Sequence, residues 1–381
     1  MIPYGRHVID EADIDAVVDV LRNQFLTQGE QVPAFENAIA SFVGANYCTA
    51  VNSGTSALHV ACLALGCTRG DLVWTVPNSF VATANCARYC GADIDFVDID
   101  SQTRNISPEA LRTKLISAQK KGRLPKILII VHFAGFSCDT KTLYEICQSY
   151  GVALIEDAAH AFGGYYLDKP VGNCQYSDLT VFSFHPVKTI TSAEGGAITS
   201  NSPAVQQRLQ LFAKHGITRQ QDHFKALPAE PWVYEQQELG FNYRLSDIHA
   251  ALGLSQVKKT QQFVQSRQAI ATAYSDNLAD LPLILPMQPD YCVSAWHLYV
   301  VELQTHSRET VFTKLREANV GVNVHYIPIH LQPYYRQLGF ASGDFPNAEG
   351  FYNMALSLPI FPTMTENQQD HVVKTLTEIL N

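Results

Sequence analysis

A lysine follows an apolar segment of the kind that forms a buried strand. Residues 179–184 read LTVFSF, and Lys188 comes shortly after them in the sequence HPVK. A lysine in such a position is usually a solvated surface group, but the residues around Lys188 are mostly small or apolar. The paired Gly195 and Gly196 would let backbone or a ligand approach closely. Partial desolvation would lower the pKa of this amine, as an amine that condenses with an aldehyde requires.

A carboxylate is the second candidate for chemistry. Asp157 follows the apolar segment 152–156 (VALIE), so we expect it just past a buried strand, at the sheet edge where ligands bind. The chain from Asp157 to Lys188 is long enough for one strand–helix–strand crossover connection, which would bring the chain back to this edge of the sheet. Such a carboxylate could form an ion pair with the lysine, or it could keep a heteroaromatic ring nitrogen protonated.

A small-residue segment is the third candidate. Gly54, Thr55 and Ser56 open an apolar helix in the sequence NSGTSAL. Free backbone N–H groups, hydroxyls and the positive end of the helix dipole would meet there, which suits a phosphate, although ordinary helix capping uses the same residues. The patterns G-x-G-x-x-G and G-x-x-x-x-G-K-[ST] do not occur in the sequence, which argues against a dinucleotide or P-loop site.

Together the three features match the needs of one cofactor, pyridoxal phosphate. This cofactor needs an anion site for its phosphate, a carboxylate for its pyridine nitrogen and an amine for its aldehyde. Phe80, in the sequence PNSF, is the natural ring to stack on the pyridine, although an aromatic residue is more often part of the core.

Alternating segments predict the elements that position these residues. Between residues 49 and 200, strand-like segments alternate with helix-like ones, which predicts an α/β fold with a mainly parallel sheet between helical layers. A long helical stretch is expected from Ser246 to about residue 278, and an amphipathic helix from about Thr365. The strand-like segments are 72–76, 93–97, 126–131, 152–156, 179–184 and 197–200; the helix-like ones are 53–66, 79–89 and one that starts at Ser107-Pro108-Glu109.

The change of pattern after residue 246 predicts more than one domain. We expect an N-terminal arm at residues 1–12, a large domain at 13–250 and a smaller C-terminal domain at 251–381. The chain has 381 residues, of which 46% are hydrophobic, and this is enough for a sizeable core.

Charge and apolar runs exclude some classes of partner. With 27 basic and 36 acidic residues the net charge is -9, which disfavours nucleic acid and anionic membranes as partners. Apolar runs are too short to span a bilayer, and the first residues carry acids where a signal peptide would be apolar, so we expect a soluble, cytoplasmic protein.

The nine cysteines are expected to be buried, reduced thiols. Cys86 and Cys90 are spaced one helical turn apart. No second pair of cysteines or histidines in the sequence suggests a tetrahedral zinc site with them.

Three segments carry a resemblance to a known family. They are SFVATAN at 79–85, SFHPVKTITSAEGG at 183–196 and NVHYIP at 323–328. With them the chain resembles the sugar-nucleotide aminotransferases of the DegT/DnrJ/EryC1/StrS family, which are fold-type-I pyridoxal phosphate enzymes, over nearly its whole length. This implies a large domain with a mainly parallel seven-stranded sheet and a smaller C-terminal α+β domain.

The resemblance also implies roles for individual residues. Lys188 corresponds to the lysine that binds the cofactor and shuttles the proton, Asp157 to the acid that pairs with the pyridine nitrogen, and His160 to a residue near the phenolic oxygen. Ser183 and the segment 54–56 match phosphate contacts. Asn242 matches a residue that reaches the cofactor of the neighbouring subunit, which implies a homodimer with shared sites. The residues implied to bind the nucleotide-sugar are Tyr4, Gln24, Phe25, Leu26, Thr27, Asn242, Val324, His325, Tyr326 and Ile327.

The implied reaction is transfer of an amino group from L-glutamate to C4 of a UDP-linked 4-keto-6-deoxy-N-acetylhexosamine, as in the subgroup that serves pseudaminic acid biosynthesis. The kinetics would be ping-pong, with pyridoxamine phosphate between the two halves. A related subgroup that performs dehydration has histidine in place of the lysine, so Lys188 favours transamination.

Other functions stay open at this point. The acceptor could be another UDP-, GDP- or dTDP-linked keto-sugar that is aminated at C3 or C4. A non-catalytic binder of the cofactor or the nucleotide-sugar would need a broken site, and Lys188 and Asp157 are both present. A serine hydrolase is disfavoured because no G-x-S-x-G pattern occurs in the sequence.

Overall fold

The computed structural model describes residues 1–228 and 230–381. Within these residues, no helix combines the length and the apolar character needed to cross a membrane. The helices are α1 (Glu11–Asn23), α2 (Gln31–Val43), α3 (Gly54–Ala64), α4 (Ala82–Tyr89), α5 (Pro108–Lys120), α6 (Thr140–Tyr150), α7 (Pro203–Ala213), α8 (Asp247–Val257), α9 (Thr260–Leu278), α10 (Arg308–Glu317), α11 (Pro333–Arg336), α12 (Pro346–Met354) and α13 (Glu366–Leu380). The strands are β1 (Tyr47–Val51), β2 (Leu72–Thr75), β3 (Asp93–Phe96), β4 (Ile127–Val131), β5 (Ala153–Asp157), β6 (Tyr165–Tyr166), β7 (Lys169–Pro170), β8 (Leu179–Ser183), β9 (Gly196–Ser200), β10 (Ile217–Thr218), β11 (Glu235–Gln236), β12 (Leu283–Ile284), β13 (Cys292–Val293), β14 (Tyr299–Leu303) and β15 (Ala355–Leu358).

One seven-stranded sheet dominates the fold, in the order β1-β9-β8-β5-β4-β2-β3. The strands β3, β2, β4, β5 and β8 run parallel to one another, while β9 runs antiparallel to both β8 and β1. All five residues of β4 are buried, as expected for a strand that is covered on both faces. The predicted mainly parallel α/β fold is confirmed.

Most of the predicted helices and strands form close to their expected bounds. Several helices begin where they are expected because the residues at their starts are good caps. The Ser53 side chain accepts a hydrogen bond from the Ser56 N–H at the start of α3. Ser107 caps α5, with Pro108 at the first helical position, and Thr365 forms a capping box at the start of α13.

Some bounds differ from the prediction. The helix expected at 79–89 begins only at Ala82, and Asp157 is the last residue of β5 rather than the residue after it. The helical stretch from Ser246 is interrupted between α8 and α9. At this break the Thr260 hydroxyl donates to the Val257 carbonyl at 2.8 Å and so competes with the helical backbone bonds.

The helix expected between Asp157 and Lys188 is wrong. Residues 158–178 contain the short strands β6 and β7 and no α-helix. Gly163 and Gly172 within this segment have φ of 88° and 104°, outside the helical region, and glycine disfavours helix in any case. The segment nevertheless returns to the same sheet edge, because β5 and β8 pair in parallel.

The C-terminal part has its own antiparallel sheet, β12-β14-β15, with α10 and α12 against it and α13 against α10 and α9. The N-terminal residues reach this part, since Ile2 forms a parallel bridge with Val320 and its carbonyl accepts from the Gly321 N–H at 2.7 Å. The predicted boundary at residue 250 falls within α8. The division into an arm and two domains stays a prediction.

Candidate active site

A cavity of about 510 Å³ lies at the carboxyl ends of the central parallel strands. The last residues of β4, β5 and β8, which are Val131, Asp157 and Ser183, all line it. This is the place where ligands bind in open parallel sheets. The predicted site residues that line the cavity are Tyr4, Gly54, Thr55, Phe80, Asp157, His160, Ser183, Lys188, Val324, His325 and Tyr326.

Asp157 lies at the bottom of the cavity, with only 5% of its surface exposed. Its Oδ2 accepts a hydrogen bond from Thr83 Oγ1 at 2.7 Å, and its Oδ1 accepts one from the Ala159 N–H at 3.2 Å. Burial raises the pKa of the Asp157 carboxyl, and both hydrogen bonds and the charge of Lys188 counteract that rise. The hydrogen bonds fix the carboxylate in one orientation, in which it can meet a cationic partner.

Lys188 lies in the loop between β8 and β9, and its side chain lines the same cavity. Desolvation inside the cavity lowers the pKa of the Lys188 amine to about 8, although the negative charge of Asp157 opposes this shift. A lysine with a pKa near 8 is partly neutral under physiological conditions. It can therefore act as a nucleophile or as a general base.

The start of α3 forms a cradle from backbone and small side chains. A Cβ on Gly54 would lie 2.9 Å from the Ser183 Cβ, so only glycine lets these two elements come so close. A Cβ on Gly196 would lie 2.4 Å from the Ser53 carbonyl oxygen. The glycine pair after Lys188 therefore serves a close backbone approach, and the N–H groups of α3 and the Thr55 and Ser183 side chains border the cavity.

Aromatic and imidazole rings form one wall of the cavity. His160 Nε2 lies 3.2 Å from the Tyr326 hydroxyl, and the two rings are stacked with their centroids 6.3 Å apart. The centroid of the His297 ring is 4.3 Å from that of His160. Burial lowers the pKa of both histidines well below its usual value, so they are neutral rings. His160 Nδ1 is buried and has no hydrogen-bond partner among the described residues.

The mouth of the cavity is lined by residues from distant parts of the chain. The Tyr4 and His325 ring centroids are 5.7 Å apart, and Phe80, which is 57% exposed, lies 6.3 Å from Tyr326. Burial lowers the pKa of His325 to about 3, so this ring is also neutral. An exposed aromatic ring at a cavity mouth is available to stack on a planar ligand.

Several predicted residues do not line the cavity of this chain. Residues 24–27 and Asn242 are exposed elsewhere, and Ile327 is 48% exposed. Ser56 is buried behind the cradle, where its hydroxyl donates to Asn52 Oδ1 at 2.6 Å. The roles of these residues stay predictions.

Sequence reasoning missed other residues of the cavity, among them Thr83, His297, Glu194 and Asn323. One signal could have revealed Thr83. It is four residues after Ser79 in a segment expected to be helical, which would place both hydroxyls on one face. In the structure the helix begins only at Ala82, yet the two hydroxyls lie 2.8 Å apart. His297 carried no such signal, because it is far from the other site residues in the sequence.

The residues present fit pyridoxal phosphate. The cradle at Gly54 has room and N–H groups for a phosphate, and Lys188 presents an amine of lowered pKa to the same cavity. Asp157 is a buried carboxylate for the ring nitrogen. The unpartnered Nδ1 of His160 is a polar atom that a bound ring with oxygen substituents could satisfy.

Comparison with known proteins gives a consistent result. A family model described as the DegT/DnrJ/EryC1/StrS aminotransferase family matches residues 7–377. The UDP-4-amino-4,6-dideoxy-N-acetyl-beta-L-altrosamine transaminase of Campylobacter jejuni is 36% identical over 384 residues, which cover 100% of this chain and 98% of the relative.

Solved structures agree with this result. Helicobacter pylori PseC, an aminotransferase involved in the biosynthesis of pseudoaminic acid, superposes with a TM-score of 0.89 at 30% identity, over 100% of this chain and 99% of that one. The PLP form of a Streptococcus pneumoniae protein of the sugar-aminotransferase class has a TM-score of 0.89 at 26% identity, over 99% of this chain and 98% of that one.

Proposed function

Because this chain belongs to the DegT/DnrJ/EryC1/StrS family and is a pyridoxal phosphate-dependent sugar aminotransferase, we propose that it aminates C4 of a UDP-linked keto-sugar. The acceptor is UDP-2-acetamido-2,6-dideoxy-β-L-arabino-hex-4-ulose, and the donor is L-glutamate. The observation that carries the proposal is the whole-chain identity of 36% with the altrosamine transaminase, in a chain whose cavity contains both Lys188 and Asp157. The product belongs to pseudaminic acid biosynthesis, and a cytoplasmic location stays a prediction.

The chemistry divides between the cofactor and the chain. When bound, pyridoxal phosphate supplies an aldehyde for an amine and a ring that takes up electron density from the reacting carbon. Lys188 would hold the aldehyde, and once the amine of the donor has displaced it, the free Nζ would take the α-proton of the donor and return a proton in the second half of the reaction. Its lowered pKa suits both steps, because the amine can gain and lose a proton near neutral pH.

Two other residues and the start of α3 position the reactants. Asp157 would keep the ring nitrogen of the cofactor cationic, and its hydrogen bonds from Thr83 and Ala159 hold the carboxylate in place. His160 is neutral and lies against Tyr326, so it can hydrogen-bond an oxygen of the cofactor ring without adding a charge. The start of α3 would hold the phosphate, because its backbone N–H groups and the helix dipole favour an anion.

We also propose a homodimer with shared active sites. The segment 24–27 and Asn242 point away from the cavity of their own chain, which suits contacts with the cavity of a second copy. Phe25 and Leu239 are 78% and 81% exposed, and contact with a second copy would cover these apolar side chains.

Light scattering tests the assembly, and activity complementation tests the shared sites. Lys188→Ala and Asn242→Ala variants are each expected to be inactive, or nearly so, and to regain activity when refolded or co-expressed together, since a mixed dimer keeps one intact site. A monomer, or mixed dimers that stay inactive, would contradict shared sites.

The substrate is tested with purified holoenzyme and a set of nucleotide-linked keto-sugars. We expect ¹⁵N from L-glutamate to appear at C4 of the UDP-linked acceptor, with kcat/KM at least about tenfold above that for dTDP- or GDP-linked 4-keto-sugars, since one or two specific contacts discriminate by this factor. NMR of the product identifies the aminated carbon and its configuration. A preference for another nucleotide, or amination at C3, would refute the assignment, and Lys188→Ala serves as the inactive control.

A further inference from the structure

The segment that carries Asn323 and His325 is anchored to the C-terminal sheet. Asn323 forms an antiparallel bridge with Ser357 on β15. In this bridge the Ser357 N–H donates to the Asn323 carbonyl at 2.8 Å, and the Asn323 N–H donates to the Ser357 carbonyl at 3.2 Å. Ser357 also pairs with Val300 on β14, and its side chain is fully buried. The C-terminal sheet therefore reaches the wall of the cavity and fixes the backbone that carries His325.

The His325 ring has a polar neighbour at each of its two nitrogen atoms. Its Nδ1 lies 2.7 Å from the hydroxyl oxygen of Ser357, and its Nε2 lies 3.5 Å from the side-chain Nδ2 of Asn323. The His325 side chain is buried, and this burial keeps the ring neutral because it lowers the pKa of His325 to about 3. A neutral imidazole carries one N–H proton, so one nitrogen donates a hydrogen bond and the other accepts one.

The Asn323 amide determines which nitrogen of His325 accepts. Its Oδ1 accepts a hydrogen bond from the Val324 N–H at 2.8 Å, so the NH₂ group is the end of the amide that faces His325. An NH₂ group only donates, and a proton on Nε2 would point at it. Nε2 therefore carries the lone pair, and the proton lies on Nδ1, which donates it to the Ser357 oxygen. The contact of 3.5 Å is long for a hydrogen bond, so a closer donor can still take up the Nε2 lone pair.

We propose that Ser357 and Asn323 are positioning residues, which hold His325 with its proton on Nδ1 so that Nε2 accepts a hydrogen bond from a hydroxyl of the acceptor sugar. This inference rests on the function proposed above and deepens it. His325 lines the same cavity as Lys188, and the charge of Lys188 adds to the effect of burial on the pKa of His325. A residue near this amine is within reach of the substituents next to the carbon that receives the amino group.

The ring of the proposed acceptor sugar offers a single hydroxyl. The ring carries the nucleotide at C1, an acetamido group at C2, the ketone at C4 and a methyl group at C5, which leaves the hydroxyl at C3, next to the reacting carbonyl. A site built to bind a hydroxyl discriminates strongly against an analogue that lacks it, because a buried polar atom of the site then loses its partner. We therefore assign recognition of the C3 hydroxyl to the Nε2 of His325.

NMR of the resting holoenzyme tests the position of the proton without any sugar present. In protein labelled with ¹⁵N-histidine, the His325 ring should show a protonated Nδ1 and an unprotonated Nε2, and the variant His325→Asn identifies its signals. Asn323→Asp places an acceptor beside Nε2, so Nε2 should become protonated in this variant. A protonated Nε2 in the wild type, or an unchanged ring in Asn323→Asp, would overturn the proposal.

Steady-state kinetics test the role of Ser357. Ser357→Ala leaves the Nδ1 proton without a partner, and KM for the acceptor should rise about tenfold while kcat stays within about twofold, because a contact with bound substrate is weakened. The matched control is Ser200→Ala, since Ser200 is also a fully buried strand serine, and its hydroxyl accepts from the Ser202 N–H at 3.1 Å outside the cavity. Equal KM values in the two variants, or a loss of kcat alone in Ser357→Ala, would refute the positioning role.

An acceptor analogue without the C3 hydroxyl tests which group His325 binds. The wild type should use the analogue with kcat/KM lower by about tenfold or more, and Ser357→Ala should lower this value by less than about twofold further, since the contact is already lost. An undiminished effect of Ser357→Ala on the analogue would overturn the assignment of the C3 hydroxyl. If the wild type turns over no UDP-linked 4-keto-sugar, the proposed function fails instead, whereas the NMR measurement, which needs no sugar, still decides where the His325 proton lies.

Discussion

Thr83 Oγ1 donates a 2.7 Å hydrogen bond to Asp157 Oδ2 at the base of the cavity. Thr83 therefore positions the carboxylate that we propose for the ring nitrogen. The change Thr83→Val removes this bond and leaves a buried carboxylate oxygen without a partner, at a cost of about 1–3 kcal/mol. We expect cofactor affinity to fall about tenfold or more, as 1.4 kcal/mol corresponds to a factor of ten.

The same substitution has an effect on pH dependence. The Thr83 bond counteracts the rise in the pKa of Asp157, so its loss raises this pKa further. Protonation of Asp157 then begins at higher pH, and cofactor affinity on the acid side should be lost at a higher pH than in wild type. The control is Thr75→Val, since the Thr75 hydroxyl is also buried and donates to the Ile129 carbonyl at 2.9 Å outside the cavity. Equal cofactor affinities in both variants would contradict a positioning role.

Removal of the Lys188 amine should abolish both covalent cofactor binding and turnover. In the wild type, borohydride reduction should leave a pyridoxyl group on the peptide that contains Lys188, and mass spectrometry locates it. Lys188→Ala should have no such adduct, whereas Lys374→Ala, a change at an exposed lysine, should behave like wild type. An adduct on another lysine of the unaltered protein would refute the assignment.

Asp157 and Glu156 are adjacent carboxylates with different partners. At saturating cofactor, Asp157→Asn should still hold the cofactor through Lys188 and lose turnover by about 10³-fold or more, because the amide cannot stabilise the cationic ring nitrogen. Glu156 contacts His132 at 2.7 Å and Ser177 and Thr180 on the far side of the strand, away from the cavity. Glu156→Gln should therefore lower the free energy of unfolding by about 1–3 kcal/mol but leave the cofactor spectrum unchanged. Comparable turnover in Asp157→Asn and wild type would mean that the carboxylate is structural.

The pKa of about 8 for Lys188 predicts how the apoprotein captures its cofactor. Only the neutral amine attacks an aldehyde, so the rate constant of pyridoxal phosphate binding should rise about tenfold per pH unit well below this pKa. Above pH 8 the rate should become constant. Stopped-flow absorbance measures this profile, and a rate that keeps rising to pH 10 would show that the cavity does not desolvate the amine.

Gly54 is expected to be irreplaceable in the phosphate cradle. In Gly54→Ala the new Cβ would lie 2.9 Å from the Ser183 Cβ, so the start of α3 has to move away from β8. Equilibrium titration should show cofactor affinity reduced about tenfold or more. Gly350→Ala is the matched control, because nothing lies within 4 Å of its Cβ and alanine favours the α12 helix. If both variants bind the cofactor like wild type, the cradle does not depend on this close approach.

Local sequence determined most of the elements and three parts of the site. Alternating apolar segments specified the parallel strands, and capping residues such as Ser53, Ser107 and Thr365 specified where helices begin. The motif around Lys188, the acid at the end of β5 and the small residues at the start of α3 could be recognised because each is a short run of adjacent residues. Parallel pairing then places strand ends at one edge.

Contacts between distant segments were decided only by the tertiary structure. His297 and Tyr326 join His160 because elements far apart in the sequence pack together. The shift of the Lys188 pKa likewise comes from burial among these elements. Side-chain periodicity reports which face of an element is buried, and it carries no information about which other element covers that face. For this reason the sequence predicted the amine, the carboxylate and the cradle, while the folded chain determined the walls around them.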